Sequence, residues 1–158
     1  MNASMPALAR CFEAEGFSDV RTLLSSGNVA FDARSTSPAA LERRAERAMQ
    51  AGLGRSFQTF VRPAAQLRQL VDSDPYAGYA LQPASKKIVT FLRHPVDPKP
   101  VLPIERDDAC IVAIDGLEAL GAYVPGPKGP LFMRLLERTF GKDITTRTLD
   151  TVRKCARA

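Results

Sequence analysis

The chain has 158 residues, of which 45% are hydrophobic and 25% are charged, as expected for one globular domain or two small subdomains. It contains no apolar run of about 18 residues that could form a transmembrane helix, and its first residues lack the features of a secretory signal. Cys11, Cys110 and Cys155 have no zinc-type spacing and suggest no disulfide framework. We therefore expect a cytoplasmic protein with no metal, no cofactor and no membrane partner.

Positive charge is concentrated late in the sequence. From Lys128 to the end there are eight basic and three acidic residues, and this excess equals the net charge of +5 of the whole chain. Any attraction to polyanions is therefore predicted at the C-terminal end. An Arg-rich, solvated helical surface produces the same pattern and is common in proteins that bind no nucleic acid.

The first half of the chain alternates between helical and extended patterns, with turn residues between them. Ser37 and Pro38 have the residue types of an N-cap and a first helical position. Gly27 and Asn28 are typical of a tight turn between two strands. The predicted elements are a helix at 5–17, strands at 20–25 and 29–32, a helix from Ser37 to Gly52, a strand at 57–61 and a helix from Pro63.

The second half begins after a loop at 72–85, which is punctuated by proline and glycine. Four prolines between 95 and 103 leave room there for a short helical turn at most. The predicted elements are strands at 86–93, 109–114 and 119–124, a rigid loop at 125–130, a helix at 131–140 and a helix at 147–156 with Thr145 or Thr146 as its N-cap.

Each half resembles most of a βαββαβ plait, the ferredoxin-like unit. We therefore predict an α+β fold of two plait-like subdomains, 1–80 and 81–158, each an antiparallel-rich sheet with helices on one face. The first half lacks its opening strand, which lies in the middle of the sheet in this plait. We expect an exposed sheet edge there, at which a homodimer or an added strand could form.

Two segments form a recognisable pattern. One is Met5-Pro6-x-Leu8 followed by residues 15–22 and Ser26-Gly27-Asn28-Val29-x-Phe31, and the other is residues 144–152 near the C-terminus. Together they resemble a bacterial family catalogued as domain of unknown function 1697. The resemblance implies a duplicated plait-like fold. It implies no activity, because none is established for the family.

The sequence departs from the family pattern at three places. Members begin with a strand and a glycine-rich segment, and this sequence starts after the position of that segment. Residues 148–150 replace the usual Asn, Trp and Asn, and Leu23 replaces a common aromatic residue. A site built from the glycine-rich opening and the late polar segment would be largely lost from this chain.

Two segments are candidate anion sites. Ser26, Gly27 and Asn28 could offer hydroxyl and backbone N–H groups, although the same residues also serve as an ordinary hairpin turn. Thr145, Thr146 and Arg147 lie at a predicted helix start, where free N–H groups and the helix dipole favour an anion, and Lys142 adds a nearby cation. Simple N-capping is the alternative reading of this second segment.

Other motifs predict no chemistry. The loop at 125–130 carries Lys128 but lacks the glycine and Ser/Thr pattern of a P-loop. His94 is the only histidine and is read as an ordinary loop residue, so most His-based activation of a nucleophile is excluded. No alternation of aromatic and basic residues suggests RNA recognition by base stacking.

The sequence predicts non-enzymatic binding of an anionic small molecule or partner by the basic C-terminal region. Two alternatives remain open. One is nucleic-acid binding through backbone charge alone, and the other is an enzyme with an anion site at Thr146 and Arg147.

Overall fold

The computed structural model describes residues 3–126 and 130–158. Mixed helices and antiparallel sheets confirm the α+β class. The middle of the loop predicted at 125–130 lies outside the described residues. The elements are α1 (Met5–Ala14), β1 (Ser18–Leu23), β2 (Asn28–Asp32), α2 (Pro38–Leu53), α3 (Ala64–Asp72), β3 (Lys86–Leu92), β4 (Ile104–Arg106), β5 (Ala109–Asp115), β6 (Glu118–Tyr123), α4 (Leu131–Phe140), β7 (Ile144–Thr148) and α5 (Leu149–Ala156).

The chain forms two compact units. The first contains the residues up to Arg68 together with Arg153–Ala158, and the second contains Gln69–Val152. The last residues of the chain therefore belong to the unit that the first half builds, where the Arg68 guanidinium donates to the carbonyl of Ala156. None of the described helices is long and apolar enough to cross a bilayer.

Two capped helices and a hairpin build the first unit. Ser37 accepts a hydrogen bond from the N–H of Ala40 (3.1 Å), so the predicted start of α2 is confirmed. The helix runs one residue past the predicted Gly52, to Leu53, and is capped by Gly54, whose φ of 73° is left-handed. The rings of Phe12, Phe17 and Phe31 lie 4.5–5.5 Å apart at their centroids. These contacts join α1 to the hairpin.

The sheet of the first unit contains only β1 and β2 among the described residues. β2 pairs with no second strand among the described residues, and an exposed edge there, with a homodimer formed on it, stays a prediction. Two-stranded hairpins are marginal alone in water. Packing of Val29 and Phe31 against the helices supplies the missing support.

The strand predicted at 57–61 is wrong. The segment is not part of a sheet, and carboxylates of α2 take the place of a neighbouring strand. The N–H of Thr59 donates to Glu46 (3.2 Å), and the N–H of Val61 donates to Glu42 (2.9 Å). A strand needs a partner for its backbone groups, and alternating side chains cannot reveal whether one is present.

Glu42 is buried, although charged side chains of a helix usually face solvent. It lies 3.7 Å from the guanidinium of Arg62, and the two side chains are only 8% and 5% exposed. A buried carboxylate is tolerated when it is paired and hydrogen-bonded, and Glu42 has both kinds of contact. The pair holds segment 57–61 against the helix.

The second unit is built on a five-stranded antiparallel sheet in the order β4-β5-β6-β3-β7. Its core lies between one sheet face and α4, where Ile88 and Ile111 pack with Phe132, Leu135 and Leu136. Strands β6 and β7 flank β3 and are joined through α4, which is the split βαβ arrangement of a plait.

The strands β7-β3-β6-β5, with every neighbouring pair antiparallel, stand in the order of the four strands of a plait. The sheet differs from a plait in the connection between β3 and β5. A plait has a helix there, whereas this chain has a proline-rich loop and the additional edge strand β4, which the sequence prediction omitted.

Gly121 is a point of close approach in this core. A Cβ atom at this position would lie 2.8 Å from the carbonyl oxygen of Cys110 and 3.0 Å from the Phe132 ring. We predict that Gly121→Ala lowers the free energy of unfolding by about 1–3 kcal/mol, because backbone or ring must move. Gly126→Ala, where a Cβ atom meets nothing within 4 Å, is the control. Urea denaturation followed by circular dichroism measures both, and equal midpoints would contradict the prediction.

Candidate functional site

The predicted C-terminal anion segment lies in a strand rather than at a helix start. Residues 144–148 form β7, and Thr145 and Thr146 pair with Phe91 and Thr90 of β3. Helix α5 begins at Leu149 after Thr148, whose hydroxyl oxygen accepts from the N–H of Thr151 (3.2 Å). The N-cap prediction for Thr145 or Thr146 is therefore wrong. The β-branched run Ile-Thr-Thr-Arg-Thr favours a strand, and this signal outweighed the capping pattern.

Arg147 is held by its own strand. Its guanidinium donates to the Thr145 hydroxyl (2.9 Å) and to the carbonyl of Thr146 (2.7 Å). Side chains alternate between the faces of a strand, and Ile144 packs into the α4 core. Thr145 and Arg147 therefore lie on the sheet face opposite α4. Anion binding at these residues stays a prediction. The helix terminus on which that prediction was based is not at Thr145–Arg147 but at Leu149.

Thr90 lies next to Thr146 on the α4 side of the sheet. It is 0% exposed, and its hydroxyl has no hydrogen-bond partner among the described residues. Ala119 and Thr146 flank it on the neighbouring strands. An unsatisfied buried hydroxyl costs about 1–3 kcal/mol.

A cavity of about 260 Å³ lies where β3 and α4 end, and Lys142 contributes to it. Lys142 is thus the one residue of the predicted site that lines this cavity. The other polar lining residues are His94, Asp97, Thr139 and Asp143, and Leu92 and Phe140 supply apolar wall.

Two short loops hold these side chains together. Residues 93–97 follow β3, and residues 141–143 connect α4 to β7; the N–H of Arg93 donates to the carbonyl of Asp143 (3.2 Å). Gly141 turns the chain out of α4 with a φ of 82°, and its N–H donates to Glu137 (2.8 Å). The position of Lys142 therefore depends on a left-handed residue at the helix end.

The charges at the cavity are mixed. The side chains of Lys142, His94 and Asp97 have no hydrogen bond or ion pair with another described residue, whereas Asp143 is engaged. The carbonyl end of α4 adds partial negative charge nearby. An ammonium and an imidazole beside a carboxylate suit a ligand with an anionic group and a hydrogen-bond donor. Among the described residues, no group of three or more His, Cys, Asp or Glu could hold a metal ion.

His94 was read from the sequence as an ordinary loop residue, and its place in the cavity was missed. No local motif indicates it. The cavity forms because β7 pairs with β3, which brings residues 94–97 beside residues 139–143. A sequence prediction that recognised β7 would have placed the two loops together.

The candidate residues Ser26, Gly27 and Asn28 lie in the hairpin of the first unit. The Asn28 amide donates to the Ser26 hydroxyl (2.9 Å) and to the carbonyl of Leu23 (3.1 Å), and Gly27 has a φ of 88°. Asn28 is only 9% exposed. These contacts give the segment a structural role, which was the alternative reading of its sequence.

We predict that Asn28→Ala destabilises the protein by about 1–3 kcal/mol, because it leaves the Leu23 carbonyl without its side-chain donor. Ser26→Ala removes an exposed acceptor and should cost about 0.5 kcal/mol or less. Thermal and urea unfolding of the two variants test this. Equal stability of Asn28→Ala and the native protein would contradict a structural role for this amide.

We predict that Thr90→Val leaves the free energy of unfolding unchanged or raises it by about 1 kcal/mol, since valine has the same shape and removes the unsatisfied hydroxyl. Thr146→Val is the matched control, because it makes the same change at a half-buried position on the neighbouring strand. Urea denaturation measures both. A loss of stability in Thr90→Val alone would show that a buried water satisfies the hydroxyl.

The comparisons with known proteins agree with this fold. The conserved bacterial protein SP0830 from Streptococcus pneumoniae has a similar structure, with a TM-score of 0.69 and 18% sequence identity over 99% of this chain and 88% of that chain. This likeness concerns the fold alone. No curated protein matches the sequence. The family described as protein of unknown function (DUF1697) matches residues 1–114, well over half of the chain, and the chain therefore belongs to that family.

Proposed function

We propose that the protein binds a small anionic molecule, without chemical turnover, in the cavity at His94 and Lys142. One observation supports this most directly. The ammonium of Lys142 and the imidazole of His94 line one cavity, and neither is engaged by another described residue. A cation held at a concave surface without a partner is a ready contact for a carboxylate or phosphate group.

The lining also constrains what the ligand carries. Lys142 and His94 donate to its anionic oxygens, and Asp97 accepts from a hydroxyl or amine on the same molecule. Leu92 and Phe140 cover an apolar stretch of it. The volume of about 260 Å³ is below that of most drug-sized pockets, so the ligand is of small metabolite size.

Binding rather than catalysis is the function this lining supports. None of the described lining residues is Ser or Cys, and the hydroxyl proton of Thr139 is donated to the carbonyl of Leu135 (2.8 Å). His94 therefore has no thiol and no free hydroxyl among the described lining residues to activate as a nucleophile. We further propose a cytoplasmic setting, which the three free cysteines support.

Thermal shift of the full chain with millimolar phosphate, succinate or phosphoserine tests the proposal. A ligand at ten times its Kd adds about 1.4 kcal/mol, which raises Tm by about 3–6 °C in a protein of this size. We expect one of the three probes to stabilise the native protein at both low and moderate salt.

Lys142→Met should abolish that stabilisation, because it removes the ammonium and keeps most of the apolar stem. Lys86→Met is the matched control, since Lys86 is exposed in the same unit and does not line the cavity. The proposal is wrong if no probe raises Tm, or if Lys142→Met responds to the probe as the native protein does.

A further inference from the structure

The excess of positive charge lies in the first unit and not in the C-terminal third of the sequence as a whole. The residues of the first unit include twelve basic and six acidic side chains, whereas the second unit has ten basic and eleven acidic ones. The two distributions differ because Arg153, Lys154 and Arg157 fold into the first unit, while Arg134 and Arg138 stay in a unit that is nearly neutral. The polyanion attraction predicted for the C-terminal end therefore has to be reassigned.

Most acidic residues of the first unit are already engaged. Glu15 pairs with Arg44 (3.3 Å), Asp19 pairs with Arg21, and Glu42 pairs with Arg62. Glu46 accepts from the N–H of Thr59 (3.2 Å). These contacts leave several arginines of the unit without an ion pair to any described residue.

Three of those arginines lie on the outer side of the α1–α2 layer. The two helices run antiparallel, since Cys11 meets Gly52 at one end of their contact and Glu15 meets Arg44 nearer the other. Helical periodicity places Arg10 opposite the buried Leu8 and Phe12, and places Arg43 and Arg47 opposite the buried Ala45 and Met49. Arg10, Arg43 and Arg47 are exposed, and we call them the arginine face.

No member of the arginine face forms a hydrogen bond or ion pair with another described residue. Arg43 and Arg47 are spaced i,i+4, so their side chains are neighbours and repel each other in the unbound helix. The interaxial distance of packed helices is about 8–10 Å, which places Arg10 within reach of the same elongated ligand.

We propose that the arginine face binds the phosphate backbone of a nucleic acid without reading its sequence. Guanidinium groups match phosphate oxygens bidentately and stay charged at any physiological pH. The face carries no aromatic side chain for base stacking, so backbone charge is the whole of the interaction. This inference is independent of the cavity at Lys142.

A membrane surface fits this face less well. Amphipathic helices that lie on bilayers combine basic residues with Trp, Phe or Leu that enter the lipid. The exposed large hydrophobic residues among those described are Leu24, Tyr79, Val101 and Met133, and none belongs to α1 or α2. The outer side of these helices instead carries Glu13 and Gln50 beside the arginines.

The test is fluorescence anisotropy of a fluorescein-labelled, mixed-sequence single-stranded RNA titrated with the full chain across a range of NaCl concentrations. We expect a linear fall of log K with log salt. Each lost phosphate contact lowers the magnitude of that slope by about 0.7, so the double variant Arg43→Ala, Arg47→Ala should lower it by about 1.4.

The double variant Arg134→Ala, Arg138→Ala is a close control. It removes the same charge at the same i,i+4 spacing from exposed positions of α4. It should leave both affinity and slope unchanged, and both variants should keep the native Tm because all four side chains are exposed. An equal or larger loss in the α4 variant would overturn the assignment and return polyanion binding to the C-terminal third.

Two further outcomes would also overturn the proposal. One is an absence of RNA binding at low salt. The other is sedimentation with phosphatidylglycerol vesicles that depends on Arg43 and Arg47 while RNA is not bound. Lys142→Met should leave the RNA titration unchanged, so failure of the small-ligand proposal and failure of this one are separately visible.

Discussion

Strand β3 is the constraint on which the second unit depends. It pairs along its length with β6 on one side and with β7 on the other, and its residues Ile88–Leu92 are all buried. A central strand must satisfy backbone groups on both edges and side chains on both faces, so its register determines its neighbours. The register between β3 and β7 buries the Thr90 hydroxyl beside Thr146. It also brings the loop after β3 next to the loop that carries Lys142, and the cavity forms between these two loops.

Local signals predicted the elements whose formation is local. The caps of α2, the hairpin turn at Gly27 and the apolar face of α4 depend on neighbouring residues, and all are present. The strand β7 depends on β3, which is far away in sequence, and the prediction missed it. The prediction also missed the three-residue strand β4, although its partner β5 follows directly after the turn at Asp107 and Asp108. Segment 57–61 is the opposite case, because its alternating pattern is real but no described strand lies beside it.

The candidate site shows the same division. Lys142 could be selected from the sequence as a cation in a basic region, but its companions His94 and Asp97 could not, since nearly fifty residues separate them from it. Charge counted along the chain was misleading for a related reason. The basic C-terminal residues divide between two units, and only the fold shows that Arg153 and Lys154 add to the arginines of the first half.

Helix α2 shows how one element serves stability and surface charge at once. Its glutamates turn inward, where Glu42 and Glu46 accept N–H groups that would otherwise need a strand, and Glu42 also neutralises Arg62. The same arrangement removes acidic side chains from the surface of α2. Because the acidic residues are committed to the interior, Arg43 and Arg47 have no i,i+4 acidic partner and their charge faces solvent. The excess of positive charge on the outer helical face is thus linked to how segment 57–61 is held, because the carboxylates that hold that segment are the ones absent from the surface.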